Sequence, residues 1–200
     1  MSLMVGLSRV RKVLSCYFTD PVVKVLARTP VTPDTLTCFS FLLAAGAAVL
    51  IVTSNLIAAG FVVLVAGFLD MLDGALARRT NRVTSFGAVL DSTLDRLAEG
   101  VLLLGILFLY AEEGSTSGVL LVGVVLLTSL LVSYIRARAG AVGIECTVGL
   151  FTRPERIIVL ALGLFTNRLD IALAIIATFS LFTVGQRLFY IWRQLKDKKS

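Results

Sequence analysis

The sequence predicts an all-α fold: a polytopic membrane protein of six transmembrane helices behind an N-terminal interfacial amphipathic helix. Three observations lead there. Hydrophobic residues make up 57% of the chain, with a mean hydropathy of +0.92, above the roughly 45–50% of a soluble domain. The excess falls in long runs, several of them near the ~20 residues that cross a ~30 Å hydrocarbon core. Helix-start signals punctuate those runs, and cations gather on one side of them. The 200 residues read as a single domain, 1–200, with a juxtamembrane amphipathic segment over 9–28 and a six-helix core over 33–192.

Residues 1–9 lack the charged start and apolar core of a cleavable signal peptide. In the next stretch Val10, Val13, Leu14, Tyr17 and Phe18 fall at helical spacing on one side, with Arg9, Arg11 and Lys12 off it. Such a helix lies in the membrane interface with its cations near anionic headgroups. Asp20-Pro21 reads as an N-cap followed by proline at the first helical position, and Thr32-Pro33 repeats the signal. The spacing then predicts helices over 33–53, 56–78, 87–110, 118–138, 154–166 and 170–192, with Ser54-Asn55 as a turn and Thr152 with Pro154 opening the fifth. The fifth is short. Residues 154–166 at ~1.5 Å each reach about 20 Å, so it either starts earlier or lies beside a cavity open to the cytoplasm.

Six spans place both termini on one side. Arg78, Arg79, Arg82, Arg136, Arg138, Arg153, Arg156 and the basic chain ends share that side, while Arg168 lies on the other with Glu112 and Glu113. The positive-inside rule makes the basic face cytoplasmic, in a multi-pass protein of the cell membrane. The net charge of +6 thus follows loop topology, and a nucleic-acid partner is set aside. Cys16, Cys38 and Cys146 are odd in number and unpatterned, which argues against a disulfide framework or a zinc site, and they read as small hydrophobes. With no histidine, acid–base chemistry near neutral pH falls to carboxylates, Lys, Cys or Tyr, and any metal must be held mainly by oxygen.

Four aspartates, Asp70, Asp73, Asp91 and Asp95, sit inside or beside the apolar runs. Each costs about 2.5–3.5 kcal/mol at a helix centre on insertion scales, so four unpaired ones would oppose insertion by about 10 kcal/mol. Asp70 and Asp73 are three apart on one helix face, Asp91 and Asp95 four apart on the next, and a short loop over 79–86 makes the two helices antiparallel neighbours. Converging carboxylates repel unless a cation joins them, and a hard divalent ion such as Mg²⁺ or Mn²⁺ suits an all-oxygen set. Two ions bridged by carboxylates suit phosphoryl chemistry. Gly74, Ala77 and Gly87 leave room for a bulky ligand, and Arg78 puts a cation where phosphate oxygens would lie. Glu99 continues the Asp91–Asp95 face one turn deeper, where a structural partnership explains it as well as a functional one. A buried ion-pair network is the competing reading of the aspartates, but the helices hold too few cations to pair them all.

The pattern Asp70-x-x-Asp73-Gly74-x-x-Ala77-Arg78, eight residues, then Gly87-x-x-x-Asp91-x-x-x-Asp95 resembles the complete signature of the CDP-alcohol phosphotransferases. Its eight fixed residues would match by chance on the order of 10⁻⁹ per starting position. The resemblance implies a six-helix membrane enzyme, a homodimer, and two divalent ions held by Asp70, Asp73 and Asp91 with Asp95 near enough to contribute. It implies Asp95 as general base for an acceptor hydroxyl that attacks the β-phosphorus of a CDP-lipid, either CDP-diacylglycerol or CDP-archaeol, and releases CMP. Gly74, Ala77, Arg78, Thr84 and Gly87, with Pro33, Asp34, Thr35 and Leu36, match its nucleotide-contacting positions.

The acceptor is read from arginines. Arg136, Arg138, Arg153, Arg156 and Arg187 would suit a phosphorylated polyol, held by bidentate contacts. The pattern around Ser133–Arg138 (SYIRAR), Thr152–Arg156 (TRPER) and Gln186-Arg187 resembles the phosphatidylinositol-phosphate or archaetidylinositol-phosphate synthase branch, which implies inositol 1-phosphate. Glycerol 3-phosphate also carries a phosphate and is the nearest rival. A cation or proton transporter using intramembrane carboxylates is the rival of a different class. It leaves the Gly-Ala-Arg spacing and the basic cluster unexplained, and no internal repeat supports it.

Overall fold

A computed structural model describes residues 19–197. The stretch 9–18 assigned to the interfacial helix lies outside the described residues. After a helical stretch over 19–26 come α1 (Pro33–Val52), α2 (Leu56–Arg79), α3 (Ser85–Glu112), α4 (Thr116–Ala141), α5 (Arg153–Thr166) and α6 (Leu169–Asp197). No strand occurs among the described residues.

The local signals act where the sequence places them. The Thr32 hydroxyl caps α1 by accepting the Thr35 N–H at 3.2 Å, with Pro33 in the first turn. Ser54 turns the chain at a φ of 60° between α1 and α2. Thr152 and Glu155 form a capping box at α5, the Thr152 N–H donating to Glu155 Oε2 at 2.8 Å. Asp20 is the exception. It lies inside the helical stretch 19–26 rather than capping it, and its carboxylate turns to Arg79 at 3.8 Å instead of to backbone amides.

Among the described residues, four helices are long and apolar enough to cross a membrane: α1, α2, α4 and α6. The other two differ for opposite reasons. α3 has 28 residues but carries Asp91, Asp95, Arg96 and Glu99 within its length. α5 is apolar after its first turn but has 14 residues, about 21 Å at ~1.5 Å each.

The chain divides into two compact units, with the boundary inside α3 between Leu102 and Leu103. In the first, α1 packs along α2, and the buried small residues Ala44, Ala47, Ala59 and Ala66 let the backbones approach. Val23, Leu36, Leu72 and Leu76 form a core cluster that ties the 19–26 stretch to both helices.

In the second unit, α4 and α5 pack on α6. A Cβ at Gly163 would lie 2.5 Å from the Ala172 Cβ, so only glycine allows this α5–α6 approach. The segment between α4 and α5 is strapped to α6. The Phe151 N–H donates to Thr183 Oγ1 at 3.1 Å, the Leu150 N–H to Gln186 Oε1 at 3.2 Å, and Arg187 Nε donates to the Val148 carbonyl at 3.0 Å. Arg187 Nη1 also donates to the Val132 carbonyl of α4. Cys146 packs with Ala139 and Ile144 in a small apolar cluster, and it and Cys38 are free thiols.

Candidate active site

The α2–α3 hairpin builds the site. Beyond α2, Asn81 takes a φ of 53°, and the Arg82 N–H donates to the Ala77 carbonyl at 3.0 Å. The Thr84 hydroxyl accepts the Gly87 N–H at 2.9 Å and so starts α3. This short return sets the two aspartate-bearing faces together. One carboxylate oxygen each from Asp70, Asp91 and Asp95 lies within 4.8 Å of the others, and all three residues are half-buried. An all-oxygen, partly accessible donor set of this kind fits Mg²⁺ or Mn²⁺.

Asp73 is placed differently. It is 3% exposed and does not join that group of three. The Thr37 hydroxyl of α1 donates to Asp73 Oδ2 at 2.6 Å, and the Gly74 N–H donates to Oδ1. Both carboxylate oxygens therefore have partners in the fold, as a buried charge requires. Nothing in the sequence pattern singles out Thr37. Its signal was weak, a hydroxyl four residues after Pro33 in an apolar run, and many such hydroxyls only bond their own helix. Glu99, one turn beyond Asp95, is 8% exposed.

A cavity of about 280 Å³ adjoins the aspartates. Pro33, Asp34 and Thr37 line it from α1; Asp73, Gly74, Ala77 and Arg78 from α2. Arg82, Val83 and Thr84 line it from the connection, with Gly87, Ala88 and Asp91 from α3. Seven of the nine residues expected to meet the nucleotide are thus gathered. Thr35 and Leu36 are not in this lining. At 100° per residue α1 turns Asp34 and Thr37 toward the cavity, while Thr35 Oγ1 lies 2.7 Å from the Thr32 hydroxyl and Leu36 packs into the apolar cluster. Arg82, Val83 and Ala88 line it as well; the sequence marks Arg82 only as a cation of the basic face, and Val83 and Ala88 only by adjacency to the motif.

The glycines act through what they omit. A Cβ at Gly87 would lie 2.8 Å from Thr84 Oγ1 and 3.0 Å from Asp34 Oδ1, so the bare backbone lets the starts of α1 and α3 meet. At Gly74 the Arg78 guanidinium folds back, 3.4 Å from where a Cβ would stand.

The five arginines belong to the second unit. Arg136 and Arg138 are exposed near the end of α4, and Arg153 opens α5, half-buried. Arg156, one turn on, and Arg187 of α6 are 2% and 4% exposed. Arg136 and Arg156 lie near enough to Arg187 to act on it electrostatically with like charge. Gathered cations of this kind favour an anion among them.

Residues 30–192 match the family described as CDP-alcohol phosphatidyltransferase. The chain is 40% identical over 185 residues to the archaetidylinositol phosphate synthase of Methanothermobacter thermautotrophicus, covering 90% of this chain and 91% of that one. It is 41% identical over 179 residues to the phosphatidylinositol phosphate synthase of Mycobacteroides abscessus, covering 85% and 81%. Two crystal structures of the Mycobacterium tuberculosis phosphatidylinositol phosphate synthase share the fold at 34% identity. The one with CDP-DAG bound has a TM-score of 0.78 and covers 87% of this chain and 93% of that chain. The one in complex with manganese and citrate has a TM-score of 0.77 and covers 87% and 88%.

Proposed function

The chain belongs to the CDP-alcohol phosphatidyltransferase family, and on that premise we propose that it transfers the phosphatidyl or archaetidyl group of a CDP-lipid to a hydroxyl of inositol 1-phosphate, releasing CMP. The observation that carries the chemistry is the meeting of Asp70, Asp91 and Asp95 beside a cavity lined by the rest of the motif. The acceptor rests on relatives named archaetidylinositol phosphate synthase and phosphatidylinositol phosphate synthase, matched over 91% and 81% of their lengths, and on the like-charged arginines of the second unit. These features favour this reading over a transporter.

Asp70, Asp73, Asp91 and Asp95 would hold two divalent ions, Mg²⁺ or Mn²⁺, which when bound neutralise phosphoryl oxygens and the leaving group. Pro33, Asp34, Gly74, Ala77, Thr84 and Gly87 are assigned to the CDP moiety, with Arg78 at its phosphates; Thr35 and Leu36 support them through the α1 cap and core. Asp95 takes the proton of the acceptor hydroxyl as that oxygen bonds to the β-phosphorus. The bond from this phosphorus to the bridging oxygen breaks, CMP leaves with that oxygen, and the proton passes from Asp95 to solvent. The product is a lipid phosphodiester. Positioning and charge neutralisation supply most of the acceleration. Arg136, Arg138, Arg153, Arg156 and Arg187 are assigned to the acceptor phosphate, with Arg153 and Arg156 foremost because Arg187 also holds the strap.

The same proposal includes a single six-span domain, a homodimer and a cytoplasmic active face. Length supports the third span: α3 has 28 residues, or about 42 Å at ~1.5 Å each, so it can cross with its aspartates near one face. The short α5 begins with Arg153 and Arg156, which belong at a cytoplasmic boundary.

The test is an acceptor panel. Purified protein with CDP-diacylglycerol or CDP-archaeol and Mg²⁺ or Mn²⁺ is offered inositol 1-phosphate, glycerol 3-phosphate, inositol or serine, and CMP is measured. Inositol 1-phosphate is expected to give the fastest release. Preference for glycerol 3-phosphate would replace the acceptor, and no CMP from any pair would overturn the enzyme assignment.

A further inference from the structure

We infer that Thr37 is a positioning residue for the metal site, its hydroxyl fixing the carboxylate of Asp73 and joining the start of α1 to the metal-bearing face of α2. Thr37 and Asp73 are each 3% exposed and lie 36 residues apart in the chain. The hydroxyl has two acceptors in reach, Asp73 Oδ2 at 2.6 Å and the Pro33 carbonyl at 3.1 Å, but a single proton. A hydroxyl–carboxylate bond at the shorter distance is the stronger of the two, so the proton faces Asp73. The Gly74 N–H holds the other oxygen. With both oxygens engaged, the broad two-fold torsion that ends an aspartate side chain is pinned. Each oxygen still has a lone pair to offer.

Thr37 also lines the cavity beside Pro33 and Asp34. One hydroxyl thus connects the end of α1 assigned to the nucleotide with an aspartate assigned to the metals. Partners of metal ligands at this remove typically change metal affinity or activity by about 10–100-fold when lost. Valine keeps the shape of threonine and removes the donor, which would leave Asp73 Oδ2 buried with its partner gone.

The inference rests on the assignment of the aspartates to divalent ions, and the test separates the two. Wild-type protein and the Thr37→Val, Thr37→Ala and Thr37→Ser variants are purified in detergent and titrated with Mn²⁺ alone. Free ion is read by electron paramagnetic resonance. Thr37→Val should raise the apparent Kd about 10–100-fold, with Thr37→Ser within about threefold of wild type. CMP release should fall in the same order. If Thr37→Val does not purify as a single species, Thr37→Ala against Thr37→Ser gives the same comparison. Unchanged Mn²⁺ affinity without the hydroxyl refutes the role of Thr37. So does a loss in Thr37→Ser equal to that in Thr37→Val, which would assign the effect to packing. A wild-type chain that takes up no Mn²⁺ refutes the metal assignment itself, and this inference with it.

Discussion

Asp73 and Arg187 are 3% and 4% exposed, each in a helix long and apolar enough to cross a membrane, yet the two halves of the chain satisfy these charges in different ways. Asp73 is held by one hydroxyl and one amide beside a cavity, with half-buried carboxylates nearby. Its surroundings stay open to a ligand. Arg187 donates to two main-chain carbonyls, from α4 and from the strap before α5. Part of its hydrogen-bonding capacity is therefore spent on the fold, since a guanidinium has five N–H donors in all. The difference teaches that a buried charge in an apolar helix is not by itself a ligand-binding group. What counts is how many of its bonds the protein has already used.

The contrast can be broken at three points. Asp95→Asn removes the assigned base and should lower CMP release about 10³-fold, within the span general bases contribute, while CDP-lipid binding measured directly survives. Near-normal turnover would remove Asp95 from that role.

Arg153→Ala and Arg187→Ala sharpen the comparison within the second unit. Losing a charged donor to an acceptor phosphate costs about 1.5–3 kcal/mol. Arg153→Ala should therefore raise the KM for inositol 1-phosphate roughly 10–100-fold, with kcat recovered by excess acceptor. Arg187→Ala should also lower thermal stability by about 3 kcal/mol, because two carbonyls lose a charged donor, and excess acceptor should restore it only in part. If Arg187→Ala is fully rescued with an unchanged Tm, Arg187 is a ligand and not a strut.

The smallest effect is expected at Gly149. Its φ is +148°, and an added Cβ would stand 3.1 Å from Thr183 Cγ2 and 3.2 Å from Arg187 Nη2. Gly149→Ala should cost about 2 kcal/mol of stability from backbone strain, read as a lower Tm, with KM for the CDP-lipid unchanged. An unshifted Tm would show that the strap is looser than its hydrogen bonds imply.

Most helix limits were legible in advance, because caps and prolines are local. Thr32-Pro33, Ser54-Asn55 and Thr152 with Pro154 mark boundaries that the backbone keeps. Asp20 departs from its local signal for a matching reason: its carboxylate answers to Arg79, 59 residues on, and no neighbouring residue announces that. The aspartate site was legible too. Spacings of three and four put each pair on one helix face, and a short connection fixes which helices meet.

By itself, then, the sequence determined the all-helical chain, the paired carboxylates and the chemistry they suit, since each follows from periodicity within one helix or across one tight hairpin. The tertiary structure decided the rest. It turned Asp73 toward Thr37 and committed Arg187 to carbonyls 39 and 55 residues away. It also took Thr35 and Leu36 out of the cavity lining. The physical reason is the same in each case: a side chain's hydrogen-bond partner across a helix interface depends on rotation and depth of packing, which spacing along one helix does not encode.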